Sequence, residues 1–217
     1  MLINLNLHGK KVIVVGGGKE SLKRINSLLK QNCKIIVISK EISKSIENIV
    51  KKKKIIYKNK KLENANFLSI EKPFLVIATT DDKTLNQLII KKAKKNKILA
   101  YSSDNPEQSD FSNPALIEFE KFFQIAIYTG GKSPMMSKKI KEQVEEILKK
   151  NITKNDIAQI KIQQIARTLA KNKIDTQIQR KAFLKSIMND NKIKQLIKDN
   201  EPKKAENRVT AILRDWK

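Results

Sequence analysis

Short apolar runs and longer stretches with helical spacing alternate through the first half of the chain. The runs occupy residues 11–15, 34–39, 53–58, 73–80 and 98–103. The first of them is continuous, as in a strand that is buried on both faces. The stretches between them repeat apolar residues every three or four positions, as amphipathic helices do. This alternation predicts an α/β fold, with an N-terminal Rossmann-like parallel sheet built from right-handed βαβ units.

Two of these helices are defined by their apolar faces. The faces are Leu22, Ile25, Leu28 and Leu29 in the helix after residue 18, and Leu85, Leu88, Ile89 and Ala93 in the helix at 82–96. Either Thr84 or an aspartate before it is expected to cap the second helix. A third helical stretch begins near Glu41.

The pattern changes after residue 104. Residues 104–114 carry two prolines and several turn-forming side chains, which predicts a loop. Residues 115–131 then alternate like an antiparallel hairpin with its turn near Glu120 and Lys121. A helix follows, with Ser133 as N-cap and Pro134 in its first turn. Its apolar side is Met136, Ile140, Val144, Ile147 and Leu148.

From residue 152 to the end, the pattern is only that of amphipathic helices. We therefore expect a Rossmann-like domain at 1–112, a small strand-helix section at 113–150 and an all-helical domain at 151–217. Trp216 is interpreted as a residue that docks the last helix rather than as a stacking surface.

A glycine turn joins the first predicted strand to the first helix. In the dinucleotide pattern G-x-G-x-x-G/A, Gly16, Gly18 and Ser21 fill the three specified positions. Serine is one hydroxyl larger than the alanine that the pattern accepts, so close packing of helix on strand is still expected. The N-terminus of the helix would present its free N–H groups to phosphates. No G-K-[S/T] follows at P-loop spacing, and we predict a dinucleotide site.

The second predicted strand ends in Ser39, Lys40 and Glu41. An acidic residue near this point binds the adenosine ribose in NAD-dependent proteins, whereas a basic residue suits the 2′-phosphate of NADP. Here a lysine precedes the acid, which itself comes two positions late. The residues alone do not separate NAD from NADP.

Composition changes this picture only a little. The formal charge of +24 invites a nucleic-acid interpretation, but the lysines are spread through almost every segment alongside isoleucine and asparagine, as AT-rich coding would produce. No nucleic-acid-binding motif accompanies them. The single cysteine and single histidine, Cys33 and His8, exclude a Cys/His metal cage, so no metal site is predicted. The sequence lacks a membrane-spanning run or secretory signal, and a cytoplasmic location without a membrane partner is expected.

Four stretches together carry a resemblance to a known family. They are "LNLHGKKVIVVGGG" (5–18), "VIATTDDKTLNQLI" (76–89), "SSDNPEQSDFSNPA" (102–115) and "IAIYTGGKSP" (125–134). In kind, order and spacing they resemble the precorrin-2 dehydrogenases, which occur alone or as the N-terminal part of siroheme synthases. The resemblance is clear to about residue 150. The last two stretches are the more specific ones, since generic Rossmann domains lack them.

The resemblance implies NAD-dependent oxidation of precorrin-2 to sirohydrochlorin, a step towards sirohaem and, in some organisms, haem. It also implies a homodimer that exchanges the section after the Rossmann domain, which makes 113–150 a dimerisation section. By position, Asp104 matches the family's essential aspartate. The matching cofactor contacts are Lys19, Glu20, Lys40 and Glu41, to which we add Gly16, Gly18, Thr79 and Thr80. The family thus favours NAD over NADP.

The candidate substrate contacts are Ser102, Gly130, Gly131, Lys132 and Ser133. Asp104 follows a strand at the carboxyl edge of the sheet, where it could accept a proton or orient a pyrrole N–H. By composition alone it would be taken for a turn cap. Gly130 and Gly131 precede a helix N-terminus and suit a substrate carboxylate, although a plain strand-to-helix connection fits equally well. Tyr128 is bulky where relatives usually carry a small hydroxyl residue.

Two other functions stay open on the sequence. Some relatives also insert iron into sirohydrochlorin, and the residues do not decide whether this chain would be such a ferrochelatase. A nucleotide-sensing Rossmann protein without catalysis, which uses its basic surface on RNA, is the other alternative.

Overall fold

The computed structural model describes residues 2–119 and 122–216. The chain divides into two compact units, residues 1–113 and 114–217. Each unit has its own core and is described by itself.

The first unit is a five-stranded parallel sheet with helices on both faces, which confirms the predicted fold class. The strands are β1 (Lys11–Val15), β2 (Lys34–Ser39), β3 (Ile56–Asn59), β4 (Leu75–Ala78) and β5 (Leu99–Ser102). The helices are α1 (Lys19–Leu28), α2 (Lys44–Lys51), α3 (Phe67–Glu71) and α4 (Lys83–Lys95). The strand order is β3-β2-β1-β4-β5, so the direction of winding reverses between β1 and β4. Ligands of open α/β sheets bind at such a reversal, outside the carboxyl ends of the strands.

Alternate residues of each strand pack into two apolar layers, one on each face of the sheet. In β1, Ile13 and Val15 join the layer under α4, and Val12 and Val14 join the layer under α1. All four side chains are buried, as expected for a strand covered on both faces. The sheet therefore forms the rigid base from which its carboxyl edge is presented.

Several element limits differ from those expected. Strand β3 begins at Ile56 rather than at residue 53, because Lys53 adopts a left-handed conformation (φ 53°) in the turn that ends α2. Strand β4 is shorter than 73–80, since Pro73 has no N–H for the ladder. In α4, Leu88 is 43% exposed while Ile90 is buried, so the apolar face lies about one residue away from its expected position. Asp82 caps α4, accepting from the N–H of Leu85 at 3.0 Å.

In the residues that the structure describes, the second unit begins with an antiparallel hairpin and continues as five helices. The elements are β6 (Ala115–Phe119), β7 (Phe123–Ile127), α5 (Pro134–Asn151), α6 (Lys154–Lys173), α7 (Gln177–Asn189), α8 (Asn191–Lys198) and α9 (Pro202–Arg214). The expected hairpin is confirmed, with Ala115 paired to Ile127. Its expected turn at Glu120 and Lys121 lies outside the described residues. Helices α6–α9 enclose their own core, in which Trp216 packs edge-on against Phe183 at 5.2 Å, as its docking role requires.

Helix α5 is capped as expected but is only partly covered. The Ser133 hydroxyl accepts from the N–H of Met136 at 3.2 Å. Of the expected apolar side, Met136 is 45% and Ile147 59% exposed, and the other members are half-buried. The one buried side chain of α5 is that of Ser137. The apolar stripe is therefore present but largely open within the second unit.

None of the helices in the described ranges combines the length and the apolar character needed to cross a membrane.

Candidate functional site

The glycine turn between β1 and α1 is shaped by what lies against each glycine. A Cβ on Gly16, whose φ is 123°, would stand 2.7 Å from the carbonyl oxygen of Thr79. A Cβ on Gly17 would overlap the carbonyl oxygen of Glu41. A Cβ on Gly18 would meet nothing within 4 Å. The first two glycines thus serve the packing of the turn against the ends of β4 and β2, and the third borders open space.

Ser21, at the third position of the glycine pattern, is fully buried. Its Oγ lies 2.8 Å from the Oγ1 of Thr79. Because Thr79 Oγ1 donates its own proton to the carbonyl of Val15 at 2.9 Å, Ser21 must be the donor between the two hydroxyls. Serine therefore fits at this position, in place of glycine or alanine, because its hydroxyl has a hydrogen-bond partner in Thr79.

The N-terminus of α1 fits a dinucleotide. Gly18 is its N-cap, and no side chain caps the helix. The first N–H groups of a helix lack partners within the helix and carry its positive dipole end. With the open space beside Gly18, they form a cradle that suits a pyrophosphate.

The first turn of α1 contains an ion-pair cluster. Glu20 pairs with Lys23, at 3.1 Å, and with Arg24. Arg24 also donates to the hydroxyl of Tyr101 at 3.0 Å, and its guanidinium lies 4.9 Å from that ring's centroid. Partial burial acts to raise the pKa of Glu20, but the hydrogen bonds and charges of the two cations outweigh it and hold the pKa below its ordinary value. Glu20, an expected cofactor contact, is thus ionised and held along α1, while Lys19 carries none of these bonds.

At the end of β2, the backbone is fixed and the charged side chains are free to meet a ligand. Ser39 Oγ donates to the carbonyl of Glu41 at 2.7 Å, and Tyr57 OH lies within reach of the carbonyls of Ser39 and Lys40. The side chains of Lys40 and Glu41 are exposed, with their charged atoms 3.7 Å apart. The acid that would bind a ribose and the lysine that would suit a phosphate therefore stand side by side.

Asp104 follows β5 and does not cap the next turn. That turn, Pro106–Gln108, is capped by Asn105, whose side chain accepts from the N–H of Gln108 at 3.3 Å. Asp104 Oδ1 accepts from Asn86 Nδ2, at 2.9 Å, and from the hydroxyl of Ser102. Within the described ranges, Oδ2 has no hydrogen-bond partner. The carboxylate is thus anchored through one oxygen and offers the other.

Asn86 is the residue of this site that the sequence interpretation missed. It lies on α4, is fully buried, and links Asp104 to Thr80. Its spacing to Ile89, Ile90 and Ala93 puts it on the buried face of the helix. A polar residue at a core position of an otherwise apolar face was the signal that could have found it.

The expected residues of the first unit converge on one edge of the sheet. The glycine turn follows β1, Thr79 and Thr80 follow β4, and Asp104 follows β5. These strands are neighbours in the order β1-β4-β5 and run parallel. With about 4.8 Å between strands, the glycine turn and Asp104 are separated by roughly 10 Å.

The expected substrate contacts Gly130 to Ser133 belong to the second unit. Gly130 and Gly131 both have positive φ, at 67° and 76°, and Lys132 N donates to the carbonyl of Thr129 at 3.2 Å. The Thr129 hydroxyl accepts from the N–H of Ser133 at 3.3 Å, which fixes the loop at the start of α5. The N–H groups of Lys132 and Ser133 are therefore engaged within the loop, and the exposed Lys132 side chain lies beside the backbone of Gly130 and Gly131.

In the part of the chain that the structure describes, no group of three or more His, Cys, Asp or Glu residues is placed to hold a metal ion.

Comparison with known proteins supports the dinucleotide interpretation. The model of a family described as NAD(P)-binding matches residues 3–115. The siroheme synthase of Buchnera aphidicola subsp. Acyrthosiphon pisum (strain APS) is 31% identical over 158 residues, which are 73% of this chain and 32% of that protein. The siroheme synthase of Actinobacillus pleuropneumoniae serotype 3 (strain JL03) is 28% identical over 211 residues, 97% of this chain and 42% of that protein. The chain thus spans about a third to two fifths of these curated relatives.

A solved structure shares the fold along nearly the whole chain. It is described as SirC, precorrin-2 dehydrogenase, and superposes with a TM-score of 0.72 at 21% sequence identity. The match covers 97% of this chain and 99% of that one. The arrangement of a parallel-sheet unit followed by a hairpin and helices is therefore one that a known protein also adopts.

Proposed function

The chain belongs to the NAD(P)-binding family matched at residues 3–115, and from this premise we propose that it is an NAD-dependent dehydrogenase that oxidises precorrin-2 to sirohydrochlorin. One observation carries the proposal. A dinucleotide cradle at the point where the winding of the sheet reverses and a carboxylate with a free oxygen after β5 lie along the same carboxyl edge of the sheet. The product leads towards sirohaem, and the proposal assigns the reaction to the cytoplasm.

The cofactor would lie across the ends of β1, β2 and β4. The glycine turn and the N-terminus of α1 would hold the pyrophosphate, with Lys19 beside it, and Glu41 and Lys40 would contact the adenosine ribose. Glu41 supports NAD as the cofactor, because its exposed carboxylate can accept from a free ribose hydroxyl. Thr79 and Thr80 would border the nicotinamide. When bound, the nicotinamide supplies the acceptor for a hydride.

Asp104 Oδ2 would be the group that acts on the proton released by the oxidation. Oxidation of precorrin-2 to sirohydrochlorin removes two protons and two electrons, which leave as one hydride and one proton. The free oxygen of Asp104 can accept that proton or orient a pyrrole N–H, while Oδ1 stays bonded to Asn86 and Ser102. Ser102, which is 1% exposed, would hold the carboxylate through its hydrogen bond to Oδ1 rather than contact the substrate itself.

The loop Gly130–Ser133 would bind substrate carboxylates. Precorrin-2 is a polycarboxylate, and the backbone N–H groups of Gly130 and Gly131, just before the N-terminus of α5 and with Lys132 beside them, suit such a group. The formal charge of +24 would help to draw in this anion.

We also propose that the protein is a homodimer. The hairpin and α5 form the section at 113–150, and the apolar side of α5 is largely open within its unit. A second copy of this section offers the same kind of surface and would cover it.

The test is an anaerobic reaction of the purified protein with enzymatically made precorrin-2 and NAD. We expect the sirohydrochlorin spectrum to rise together with an equimolar amount of NADH. Ferrous iron added afterwards tests whether the chain also inserts metal. A flat trace with NAD and with NADP, while NAD binding is intact by calorimetry, would refute the proposal and leave the nucleotide-sensing alternative.

A further inference from the structure

We propose that Asn86 is a positioning residue, whose side-chain amide holds the Asp104 carboxylate with Oδ2 directed away from its anchors. The inference rests on the proposed dehydrogenase function, because it concerns the carboxylate to which that function assigns the proton. Asn86 itself does not touch substrate or cofactor, and it acts through Asp104.

The burial of Asn86 indicates a specific task. Its side chain is 0% exposed and sits among Leu85, Ile89 and Ile90 on the core-facing side of α4. A buried amide lowers stability unless its polar atoms are hydrogen-bonded, and a leucine would fill this face without that cost. The asparagine is therefore explained by its bonds rather than by the helix.

Those bonds fix which way the amide points. Oδ1 accepts from Thr80 Oγ1 at 2.7 Å and lies 3.3 Å from the N–H of Thr80. An NH2 group in that place could not accept from a backbone N–H, so the oxygen must face Thr80 N. Nδ2 consequently presents its two protons to the carbonyl of Thr80 and to Asp104 Oδ1, each at 2.9 Å. The two donors and two acceptor sites of the amide are all in use.

The effect falls on one oxygen of Asp104. Oδ1 receives both Asn86 Nδ2 and the Ser102 hydroxyl, and both donors belong to buried residues. Asp104 is itself exposed, so without these anchors its carboxylate would be free to sample several rotamers. Two donors on Oδ1 select one orientation and leave Oδ2 for the reaction.

The same amide joins the residue after β4 to the residue after β5. Thr80 lies next to Thr79, which packs against the glycine turn, so Asn86 sets the distance between the cofactor side of the site and the acid. Reaction rates depend steeply on such placement. Loss of the anchor should therefore lower kcat and leave the affinity for NAD unchanged.

The decisive variant is Asn86→Asp. It keeps the acceptor for Thr80 and replaces the Nδ2 donor by an oxygen that donates only when protonated. We expect kcat to fall on the order of a hundredfold at neutral pH. As the pH is lowered, the protonated side chain donates to Asp104 again, and the loss relative to wild type should shrink. Equal kcat and parallel pH profiles for the variant and the wild type would overturn the proposal.

Gln87→Glu is the matched control. It makes the same change from amide to carboxylate at the next position of α4, where the side chain is exposed. We expect its kcat and pH profile to be those of the wild type. A loss equal to that of Asn86→Asp would attribute the effect to charge on α4 and would overturn the positioning role.

A measurement without substrate separates this inference from the proposed function. In protein labelled with 15N-asparagine, the side-chain resonances of Asn86 should shift as the pH is lowered, and Asp104→Asn should abolish the shift. An active wild type without this shift would overturn the inference. An inactive wild type that shows it would refute the proposed dehydrogenase yet support the contact. The same spectra decide the question if Asn86→Asp does not fold.

Discussion

The hydroxyl of Ser21 donates to the hydroxyl of Thr79 across 2.8 Å in the closed space behind the glycine turn. The bond joins the first turn of α1 to the end of β4, on either side of the reversal in strand order. It places the side chain that replaces the usual small residue against the strand that leads to Thr80 and Asn86. The glycine turn and the acid are therefore parts of one hydrogen-bonded edge.

Ser21→Ala removes this bond and leaves Thr79 donating to Val15. We expect a loss of about 1 kcal/mol in the free energy of unfolding, since one buried hydrogen bond disappears while its partner stays satisfied. Urea denaturation measures the change. Ser45→Ala, at an exposed position on α2, is the control and should be neutral. If Ser45→Ala lowers the free energy of unfolding as much as Ser21→Ala does, then removal of a serine hydroxyl as such, rather than loss of the Thr79 bond, explains the result.

Gly18→Ala should separate cofactor binding from folding. A Cβ there meets no protein atom within 4 Å, so the melting temperature should barely change. It would occupy the space assigned to the pyrophosphate, and we expect the Kd for NAD to rise about tenfold or more. A tenfold rise is a loss of about 1.4 kcal/mol in the free energy of binding. Calorimetry gives the affinity. Gly17→Ala, whose Cβ would overlap Glu41, should instead destabilise the fold by about 1–3 kcal/mol. Unchanged NAD affinity in Gly18→Ala would contradict the assigned cradle.

Asp104→Asn should fold, bind NAD and lose most turnover. The amide oxygen can still accept from Asn86 and Ser102, so the local bonds survive, but the group that would take the proton is gone. The expected loss in kcat is about 10²–10⁴-fold. The exposed neighbour Glu107 supplies the control, because Glu107→Gln removes the same charge without touching the site. Full activity in Asp104→Asn would remove the acid from the mechanism.

The fold was largely predictable, because short apolar runs alternate with stretches of helical spacing through the first half of the chain. The residues at which strands and helices begin and end were less predictable. The left-handed turn at Lys53, for example, depends on how α2 ends, and no side-chain pattern reveals it. Asp104 and Asn105 are both good turn caps, and only the backbone decides that Asn105 takes that role. Asn86 was missed because its partners, Thr80 and Asp104, are brought together by the sheet rather than by nearness in sequence.

Glu71 should make stability depend on pH in the acid range. Its carboxylate bonds Lys58 and, at 3.2 Å, Lys11. The Lys58 hydrogen bond contributes most to holding its pKa below the ordinary value, against partial burial, which acts to raise it, and Lys11 adds to the lowering. A depressed pKa in the folded state stabilises the protein above the unfolded pKa, and this stabilisation is lost as the pH falls through the folded value.

Glu71→Gln should therefore be less stable than the wild type at neutral pH, and the difference should narrow below about pH 4. Thermal melts across the pH range measure it. Glu63→Gln, at an exposed position nearby, is the charge-matched control and should track the wild type throughout. A difference for Glu71→Gln that stays constant with pH would show that packing, rather than the two lysines, explains its effect.

Ile147→Glu should convert the proposed dimer to monomers. Ile147 is 59% exposed on the open apolar side of α5, so a single chain tolerates glutamate there, whereas a covered interface would have to bury two like charges. Light scattering coupled to gel filtration should give twice the chain mass for the wild type and the single mass for the variant. Ile178→Glu makes the same change on α7, where Ile178 is 83% exposed and lies outside the dimerisation section, and it should remain dimeric. A monomeric wild type, or a variant that stays dimeric, would reject α5 as the contact surface.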